Sequence, residues 1–321
     1  MAYGLIAIGL ALLFAGGEAL VRGGVGLSRF FGFSPLLIGL VVISAGTSAP
    51  ELLIAVQAVT QGNPALAAGN IVGSNIANIL LILGIGAMIR PMESAPKVVF
   101  RDGGTMLIAS IVFVLMAWNG MVTSRDGWFL VTGLLIFMAL LFFFDWRRPA
   151  THSVLETRAA QRANGLIHPG TSLFFLLIGG VLLYFGAQTV VNGSVAVARQ
   201  FDVPQSLIGL TLVAVGTSLP ELATTIVAAF RRQTALAIGN LVGSNIFNIL
   251  GVLGITALVH PVAIPAELAH QDMLVMLGVA ALLPPLLYTS WRLSRSEGLL
   301  LVLLYGSYVA FLAWRQGMLP L

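Results

Sequence analysis

Apolar stretches that could cross a bilayer occur ten times along the chain. A membrane-spanning helix needs about 20 consecutive, mostly apolar residues, and such runs recur between charged residues, prolines and glycines along the sequence. This pattern predicts an all-α membrane protein with ten transmembrane helices. The predicted spans are residues 2–21, 33–59, 64–89, 103–118, 128–146, 171–191, 205–230, 234–258, 273–289 and 298–314.

One polar segment, residues 147–170, separates the first five predicted spans from the last five, and we interpret it as a linker between domains 1–146 and 171–321. The two domains repeat each other in sequence. A shift of 170 residues aligns 37–85 with 207–255 without a gap and leaves 27 of 49 positions identical. Because five is an odd number of spans, the second repeat enters the membrane from the opposite side. Inverted repeats with helices broken at the midplane are typical of alternating-access transporters.

The composition agrees with a membrane protein and limits the kinds of metal ligand that the membrane interior can offer. Of the 321 residues, 58% are hydrophobic and 9% are charged, against about 25% charged residues in a soluble domain. The net charge of +4 therefore does not indicate nucleic-acid binding. There is no cysteine, which excludes disulfides and thiolate metal sites, and the four histidines fall in predicted loops. The membrane interior thus offers only oxygen ligands, and we expect no cofactor.

The basic residues set the expected orientation. With the N-terminus outside, all of the 16 Lys and Arg residues except Arg125, Arg199 and Arg315 lie on the inner side. The positive-inside rule then puts both termini outside and the linker in the cytoplasm. The first apolar run has no basic leader and no clear cleavage site, so we expect it to remain as a helix. We expect a monomeric, multi-pass protein of the cell membrane, inner or plasma.

Two glutamates are the most unusual residues in this pattern. Glu51 closes the hexapeptide Gly-Thr-Ser-Ala-Pro-Glu in the second predicted span, and Glu221 closes Gly-Thr-Ser-Leu-Pro-Glu in the seventh. A carboxylate at that depth costs about 3 kcal/mol on insertion scales. No Lys, Arg or His lies near the centre of any predicted span, which argues against a structural ion pair. The acids must be protonated, bond to backbone donors or hold a cation, and the usual role of intramembrane acids favours the cation.

Each glutamate follows two hydroxyls and a proline. Thr47 precedes Glu51 by four residues and shares its helix face, as Thr217 does with Glu221. Back-bonding of a hydroxyl to the i−4 carbonyl is the structural alternative, but it does not explain hydroxyls and acid repeated together. Pro50 clashes with the carbonyl four residues earlier, so we expect either a plain kink or a loosened helix whose freed carbonyls bind a cation. The other candidate ligands in these two blocks are Ser48 and Ser218 and the carbonyls of Ser44 and Ala214.

A second pair of blocks follows the glutamates. Gly69 and Gly73, and their counterparts Gly239 and Gly243, are spaced for close helix packing. The next polar residues stand at i and i+4, face the same way and could complete an oxygen cage. These residues are Ser74 with Asn78 and Ser244 with Asn248, while Asn70, Asn75, Asn240 and Asn245 are equally polar and could instead cap or bridge helices.

Carboxylates, hydroxyls, amide oxygens and carbonyls together are ligands for a hard cation. Ca²⁺ takes six to eight oxygens at about 2.3–2.6 Å in irregular geometry, whereas Mg²⁺ requires a tighter octahedron. Two negative charges neutralise one Ca²⁺, so a divalent ion and a few Na⁺ ions can compete for the same oxygens. Competition at a site that opens alternately to each side produces antiport.

The two G-T-S-x-P-E blocks and the two G-N-x-V-G-S-N-I-x-N blocks resemble the alpha repeats of the sodium/calcium exchanger family, within the cation/calcium exchanger superfamily. The resemblance implies that Glu51 and Glu221 bracket Ca²⁺ and that the Ser44 and Ala214 carbonyls belong to flanking Na⁺ sites. It also implies that the first and sixth spans slide across the other helices. The ligands it implies are Thr47, Ser48, Glu51, Ser74 and Asn78 from one half, and Thr217, Ser218, Glu221, Ser244 and Asn248 from the other.

One position departs from the family pattern, because Asn248 stands where many members have aspartate. The proton/calcium branch has Gly-Asn before the glutamate, whereas this chain has Thr-Ser twice, which favours Na⁺ as the coupling ion. We therefore predict a Na⁺/Ca²⁺ antiporter, with a Ca²⁺/H⁺ antiporter whose glutamates carry the proton as the alternative. The inverted repeat argues against a cation channel. The absence of a His, Cys or Ser–base constellation within the predicted spans argues against an enzyme.

Overall fold

The computed structural model describes residues 2–94, 96, 98–146, 168–200, 214–289 and 291–315. The predicted linker, apart from its last three residues, and positions 205–213 of the seventh predicted span lie outside the described residues. The helices are α1 (Ala2–Phe31), α2 (Pro35–Thr47), α3 (Ala49–Thr60), α4 (Pro64–Ile89), α5 (Val99–Ala117), α6 (Ser124–Trp146), α7 (Pro169–Gln200), α8 (Ala214–Thr217), α9 (Leu219–Phe230), α10 (Thr234–Val259), α11 (Met273–Thr289) and α12 (Arg295–Arg315).

Eight helices in the described part of the chain are long and apolar enough to cross a membrane, and α2 with α3, joined by a 40° bend, makes a ninth candidate. The helix α9 is apolar but shorter. Large apolar side chains such as Phe174 and Leu177 are exposed on the outside of the bundle, which is the expected surface of a protein whose solvent is lipid. The chain is therefore a multi-pass membrane protein, and its predicted count of ten spans remains a prediction.

The helices α1 and α7 are much longer than the predicted spans 2–21 and 171–191. They have 30 and 32 residues, so each is about 45 Å long at about 1.5 Å per residue. The predicted ends fell short because the apolar runs stop at Arg22 and Asn192, whereas the helices continue to Phe31 and Gln200.

A seam of glycines joins these two helices side by side. A Cβ added at Gly16 would lie 2.8 Å from the Leu183 nitrogen, and one added at Gly186 would lie 2.9 Å from the Leu13 nitrogen. Small residues that let two backbones meet are typical of tight packing between membrane helices. The helices α1 and α7 therefore form one pair, called the α1–α7 pair below.

The most buried helices are α4 and α10, each with 78% of its central window inside the protein. Two short antiparallel ribbons join distant parts of the sequence around them. Strand β1 (Met92–Glu93) pairs with β4 (Arg292–Leu293), and β2 (Met121–Val122) pairs with β3 (Val262–Ala263). Each ribbon thus ties a strand from the first sequence half to one from the second.

Candidate cation site

Both Thr-Ser-x-Pro-Glu motifs contain a helix break. The helix α2 ends at Thr47 and α3 starts at Ala49, with Ser48 at the bend between them. The second motif has the same arrangement, with Ser218 between α8 and α9. Each proline lies in the first turn of the new helix, where its missing N–H has no intrahelical partner to lose. The helix interruption expected from the motif is therefore present in both halves.

Glu51 and Glu221 lie in the first turns of α3 and α9, with no solvent exposure. A helix N-terminus carries partial positive charge and favours a carboxylate, which offsets part of the burial cost. Both oxygens of Glu51 and one oxygen of Glu221 have no hydrogen-bond partner among the described residues. The two carboxylates are also close enough to interact electrostatically. Two carboxyl groups with unpaired oxygens are thus held near each other at the N-termini of two helices.

Other buried acids show what a structural carboxylate looks like in this protein. Asp102 pairs with Arg101 at 2.6 Å. Asp272 pairs with Arg315 at 3.1 Å and accepts a hydrogen bond from the Tyr308 hydroxyl at 3.2 Å. Buried charges are normally compensated in this way. The lack of such partners at Glu51 therefore sets it apart from these two paired acids.

The Thr47 hydroxyl links the first motif to the second half of the chain. It donates a hydrogen bond to the Asn240 side-chain oxygen at 3.2 Å and lies 3.4 Å from the Ser244 hydroxyl. The Ser244 hydroxyl in turn donates to Glu221 at 3.4 Å. A hydroxyl has one hydrogen and two lone pairs, so donation to Asn240 leaves the threonine oxygen able to face a cation.

The same arrangement is present on the other side of the site. The Thr217 hydroxyl donates to the Asn70 side-chain oxygen at 3.1 Å and lies 3.5 Å from the Ser74 hydroxyl. The structure therefore assigns Asn70 and Asn240 to the bridging role that the sequence left open. Their spacing of 170 residues indicates equivalent positions in the two repeats. Nothing in the sequence, however, showed which polar residue each asparagine would contact.

The remaining predicted ligands are buried but make no direct hydrogen bond to these groups. The Ser48 and Ser218 hydroxyls and the whole amide groups of Asn78 and Asn248 have no hydrogen-bond partner among the described residues. Buried polar atoms in proteins are nearly always paired, with protein, water or an ion. The two pairs of motifs therefore hold several buried polar groups without a hydrogen-bond partner, as well as the unpaired oxygens of the glutamates.

The expected release of backbone carbonyls differs between the two halves. The Ser44 carbonyl accepts a hydrogen bond from the Ser48 N–H at 2.8 Å, so it is not freed as the sequence suggested. In the second half the Ser218 N–H instead bonds to the Val215 carbonyl at 3.1 Å, which leaves the Ala214 carbonyl without the equivalent bond. The Thr47 hydroxyl also lies 3.4 Å from the Ser44 carbonyl oxygen, within hydrogen-bond distance.

Glycines allow the first motif to reach the second half. A Cβ added at Gly239 would lie 2.5 Å from the Leu36 carbonyl oxygen, and one added at Gly243 would lie 2.5 Å from the Leu40 carbonyl oxygen. The predicted packing role is therefore confirmed for these two glycines, which bring α2 against α10. For Gly69 and Gly73, the segment that would correspond to α2 lies outside the described residues.

A π-helical turn at each asparagine was not predicted from the sequence. One such turn covers Asn78–Leu83 within α4, and another covers Phe247–Leu253 within α10. Turns of this kind occur often at functional sites because they redirect side chains within a helix. The two π-helical turns follow Ser74 and Ser244 by about one turn. They change the direction in which the later side chains of α4 and α10 point.

Together, the fold and this shell of oxygens define a membrane transporter for hard cations. The chain belongs to the sodium/calcium exchanger family, since the family described as "Sodium/calcium exchanger protein" matches residues 1–146 and 171–314. It is 35% identical over 325 residues to the inner membrane protein YrbG of Escherichia coli strain K12, covering 100% of this chain and 98% of that protein. It is 29% identical over 341 residues to the sodium/calcium exchanger MaX1 of Methanosarcina acetivorans, covering 96% and 97% respectively.

A solved structure of the sodium-calcium exchanger NCX_Mj, soaked with Na⁺ and Sr²⁺, has the same fold. It matches with a TM-score of 0.81 and 30% sequence identity over 96% of this chain and 97% of that chain. Family and fold are those of transporters, not enzymes, and both support cation/Ca²⁺ antiport. Ca²⁺ and Na⁺ are the substrates of this family, and no cofactor is indicated.

Proposed function

We propose that this protein is a secondary active antiporter that exchanges Na⁺ for Ca²⁺ by alternating access. The observation that carries the proposal is the pair of fully buried glutamates, Glu51 and Glu221, which interact with each other and have unpaired oxygens. A transported cation supplies the positive charge that the protein does not. Two carboxylates neutralise one Ca²⁺, and Na⁺ ions that enter the same oxygen shell replace it.

The proposed ligands divide into charged and neutral oxygens. Glu51 and Glu221 bracket Ca²⁺, and the carbonyls of Ser44 and Ala214 belong to flanking Na⁺ positions. Neutral oxygens complete the six to eight that Ca²⁺ takes. These neutral ligands are Thr47, Ser48, Ser74, Asn78, Thr217, Ser218, Ser244 and Asn248.

The alternative is a Ca²⁺/H⁺ antiporter in which the glutamates carry the proton. It is supported by the burial of both acids without a basic partner, since protonation would also neutralise them. The hydroxyls beside each acid favour Na⁺, because Na⁺ needs several neutral oxygens whereas a proton needs only the carboxylate.

We also propose two inverted repeats of five helices, residues 1–146 and 171–321, joined by a cytoplasmic linker at 147–170, with both termini outside and a monomeric unit. The ribbons support the two-fold relation. Residue 92 pairs with 293 and residue 122 with 262, and positions 92 and 262 correspond under the 170-residue shift. The α1–α7 pair then moves as one body across the other helices, because its glycine seam joins the first and sixth spans.

A flux assay in proteoliposomes tests the proposed function. Ca²⁺ uptake is measured at equal pH on both sides, with a Na⁺ gradient directed outward and the membrane potential clamped by K⁺ and valinomycin. The proposal predicts uptake that depends on internal Na⁺ and persists when protonophore is added. Uptake driven by a pH gradient alone, with no response to Na⁺, would establish the Ca²⁺/H⁺ alternative instead.

A further inference from the structure

A salt bridge joins the α1–α7 pair to the rest of the bundle at one end. Glu18 of α1 accepts hydrogen bonds from Nε of Arg231, at 3.0 Å, and from its Nη2. Arg231 directly follows α9, in the turn before α10. Arg22 also bonds to Glu18, but from one turn further along the same helix. Of the two ion pairs that Glu18 makes, the one with Arg231 therefore connects α1 to a different helix, whereas the one with Arg22 lies within α1.

Below this salt bridge, α1 covers the part of α9 that leads from the site to the turn. A Cβ added at Gly17 would lie 3.1 Å from the Ala223 carbonyl oxygen, so the two backbones are nearly in contact. Ala223 and Val227 are buried, with 6% and 7% of their surface exposed. Ala223 is two residues after Glu221, so α1 closes the route between the site and the Arg231 turn.

The corresponding face of the other half is open. The counterparts of Ala223 and Val227 are Leu53, which is 59% exposed, and Gln57, which is also exposed. Among the described residues, α7 does not pack along α3 as α1 packs along α9. In the described part of the chain, the α1–α7 pair thus lies against α9 and leaves α3 uncovered.

The salt bridge is also one-sided in sequence. The residues 170 positions from Glu18 and Arg231 are Gln188 and Gln61, neither of which carries a charge. In an inverted repeat, identical residues favour both access states equally, so a preference for one state must come from residues that differ between the halves. Glu18 and Arg231 differ in this way, and they are in contact in the state described here.

We propose that the Glu18–Arg231 salt bridge is a latch that biases the exchanger toward the conformation closed on the Arg231 side. This inference rests on the proposed alternating access. When the α1–α7 pair slides onto α3, Glu18 leaves Arg231 and no equivalent salt bridge forms at the other end. Glu18 and Arg231 are therefore positioning residues that set the ratio of the two states without touching the ions.

The latch is expected to have a modest strength. The Arg231 and Glu18 side chains are 55% and 25% exposed, and they border a cavity of about 500 Å³ that Arg29 and His168 also line. Solvent therefore screens the pair. Partly exposed pairs of this kind shift an equilibrium by about two- to fivefold, which is enough to bias the transport cycle without stopping it.

Site-directed labelling tests the latch, because the chain has no cysteine. One reporter is Ala223→Cys, which is covered by α1 here, and the other is Gln57→Cys, which is exposed. The rate of maleimide labelling is measured for each reporter alone and with Glu18→Gln or Arg231→Gln, which place at each position the residue of the other repeat. We expect labelling at 223 to rise about two- to fivefold and labelling at 57 to fall in both variants.

The matched control is Arg22→Gln, which removes the same charge beside Glu18 but no contact between helices, and it should change neither rate. Unchanged rates in Glu18→Gln and Arg231→Gln, or equal changes in Arg22→Gln, would overturn the latch. A second variant moves the latch to the other side, with Gln188→Glu and Gln61→Arg added to Glu18→Gln. It should reverse the labelling preference, and Gln188→Glu alone should not.

This readout separates the latch from the proposed function. Labelling requires no ion gradient, whereas Na⁺-driven Ca²⁺ uptake by the unaltered protein tests exchange. Na⁺-driven Ca²⁺ uptake by the unaltered protein, together with unchanged labelling in the variants, would contradict the latch and leave the proposed function in place. A shift in labelling without Na⁺-driven uptake would remove Na⁺/Ca²⁺ exchange while leaving the two conformations and the latch in place.

Discussion

Thr47 donates its hydroxyl hydrogen to the side-chain oxygen of Asn240 at 3.2 Å, across a separation of 193 residues in the chain. The bond fixes the direction of the threonine lone pairs and uses the amide oxygen of Asn240. In the proposed site, Asn240 is therefore a residue that orients Thr47 toward the cation. Groups that orient metal ligands typically affect affinity by about 10- to 100-fold when removed.

Removal of the Asn240 amide should weaken Ca²⁺ binding without removing a ligand. In Asn240→Ala the Thr47 hydroxyl loses its nearer acceptor and keeps the Ser44 carbonyl, at 3.4 Å, so its hydrogen is held less firmly away from the ion. We expect the apparent Ca²⁺ affinity to fall about tenfold, measured by isothermal titration. Asn245→Ala is the control, because Asn245 bonds to the Leu241 carbonyl rather than to a site residue. Equal losses of affinity in both variants would contradict the orienting role.

Neutralisation of either site glutamate should abolish exchange and preserve the fold. In Glu51→Gln and in Glu221→Gln, one of the two charges that balance Ca²⁺ is gone, so we expect at least about a 100-fold loss of Ca²⁺ uptake. In the ion-free protein, the same changes remove a buried charge that has no basic partner and should leave the melting temperature unchanged or higher. Transport retained by either variant would show that the acid is not a ligand.

Neutralisation of Asp272, a buried acid with a basic partner, should have the opposite effect on stability. Asp272→Asn removes one partner of a buried pair with Arg315, and Arg315 is 24% exposed, so part of the effect is screened by solvent. We expect a loss of about 1–2 kcal/mol in the free energy of unfolding, read as a lower melting temperature. A stabilising effect in Asp272→Asn would remove the distinction between paired and unpaired acids.

Asn248→Asp should add an ionisable oxygen to the site. The extra charge must be balanced by a proton or by a further Na⁺, so we expect a steeper dependence of uptake on pH or a shifted reversal potential. Both are measurable in proteoliposomes over a range of pH and Na⁺ gradients. Asn78→Asp tests the same change in the first half. An unaltered pH profile together with an unaltered reversal potential would exclude Asn248 from the ion shell.

The glycine seam should not tolerate a larger side chain. Gly16→Val places atoms against the Leu183 backbone, 2.8 Å from the new Cβ, and should destabilise the protein by about 1–3 kcal/mol. Gly4→Val is the control in the same helix, since no described atom lies within 4 Å of its added Cβ. Equal melting temperatures for the two variants would mean that the seam does not hold the α1–α7 pair together.

The hydropathy pattern and the motifs predicted the membrane class, the helix breaks and the oxygen chemistry. Those features depend on local properties, such as the missing N–H of Pro50 or the apolar length of a span. The lengths of α1 and α7 were not predictable in the same way, because apolarity ends near Arg22 whereas helix hydrogen bonding continues to Phe31.

Two further features depend on contacts that no single repeat contains. Asn70 and Asn240 could not be assigned from the sequence, since each meets a threonine of the opposite half. The closure of α1 on α9 could not be inferred from the aligned blocks, because they are alike in both halves and therefore do not specify which side is closed. That information lies in residues that differ, such as Glu18 and Gln188.

Direct Ca²⁺ binding to the purified protein, titrated against Na⁺ at constant pH, tests the central claim that the two buried acids hold competing cations. We expect one Ca²⁺ bound per chain, displaced progressively as Na⁺ rises, and no such binding in Glu51→Gln or Glu221→Gln. Ca²⁺ binding that ignores Na⁺, or that survives in both variants, would contradict it.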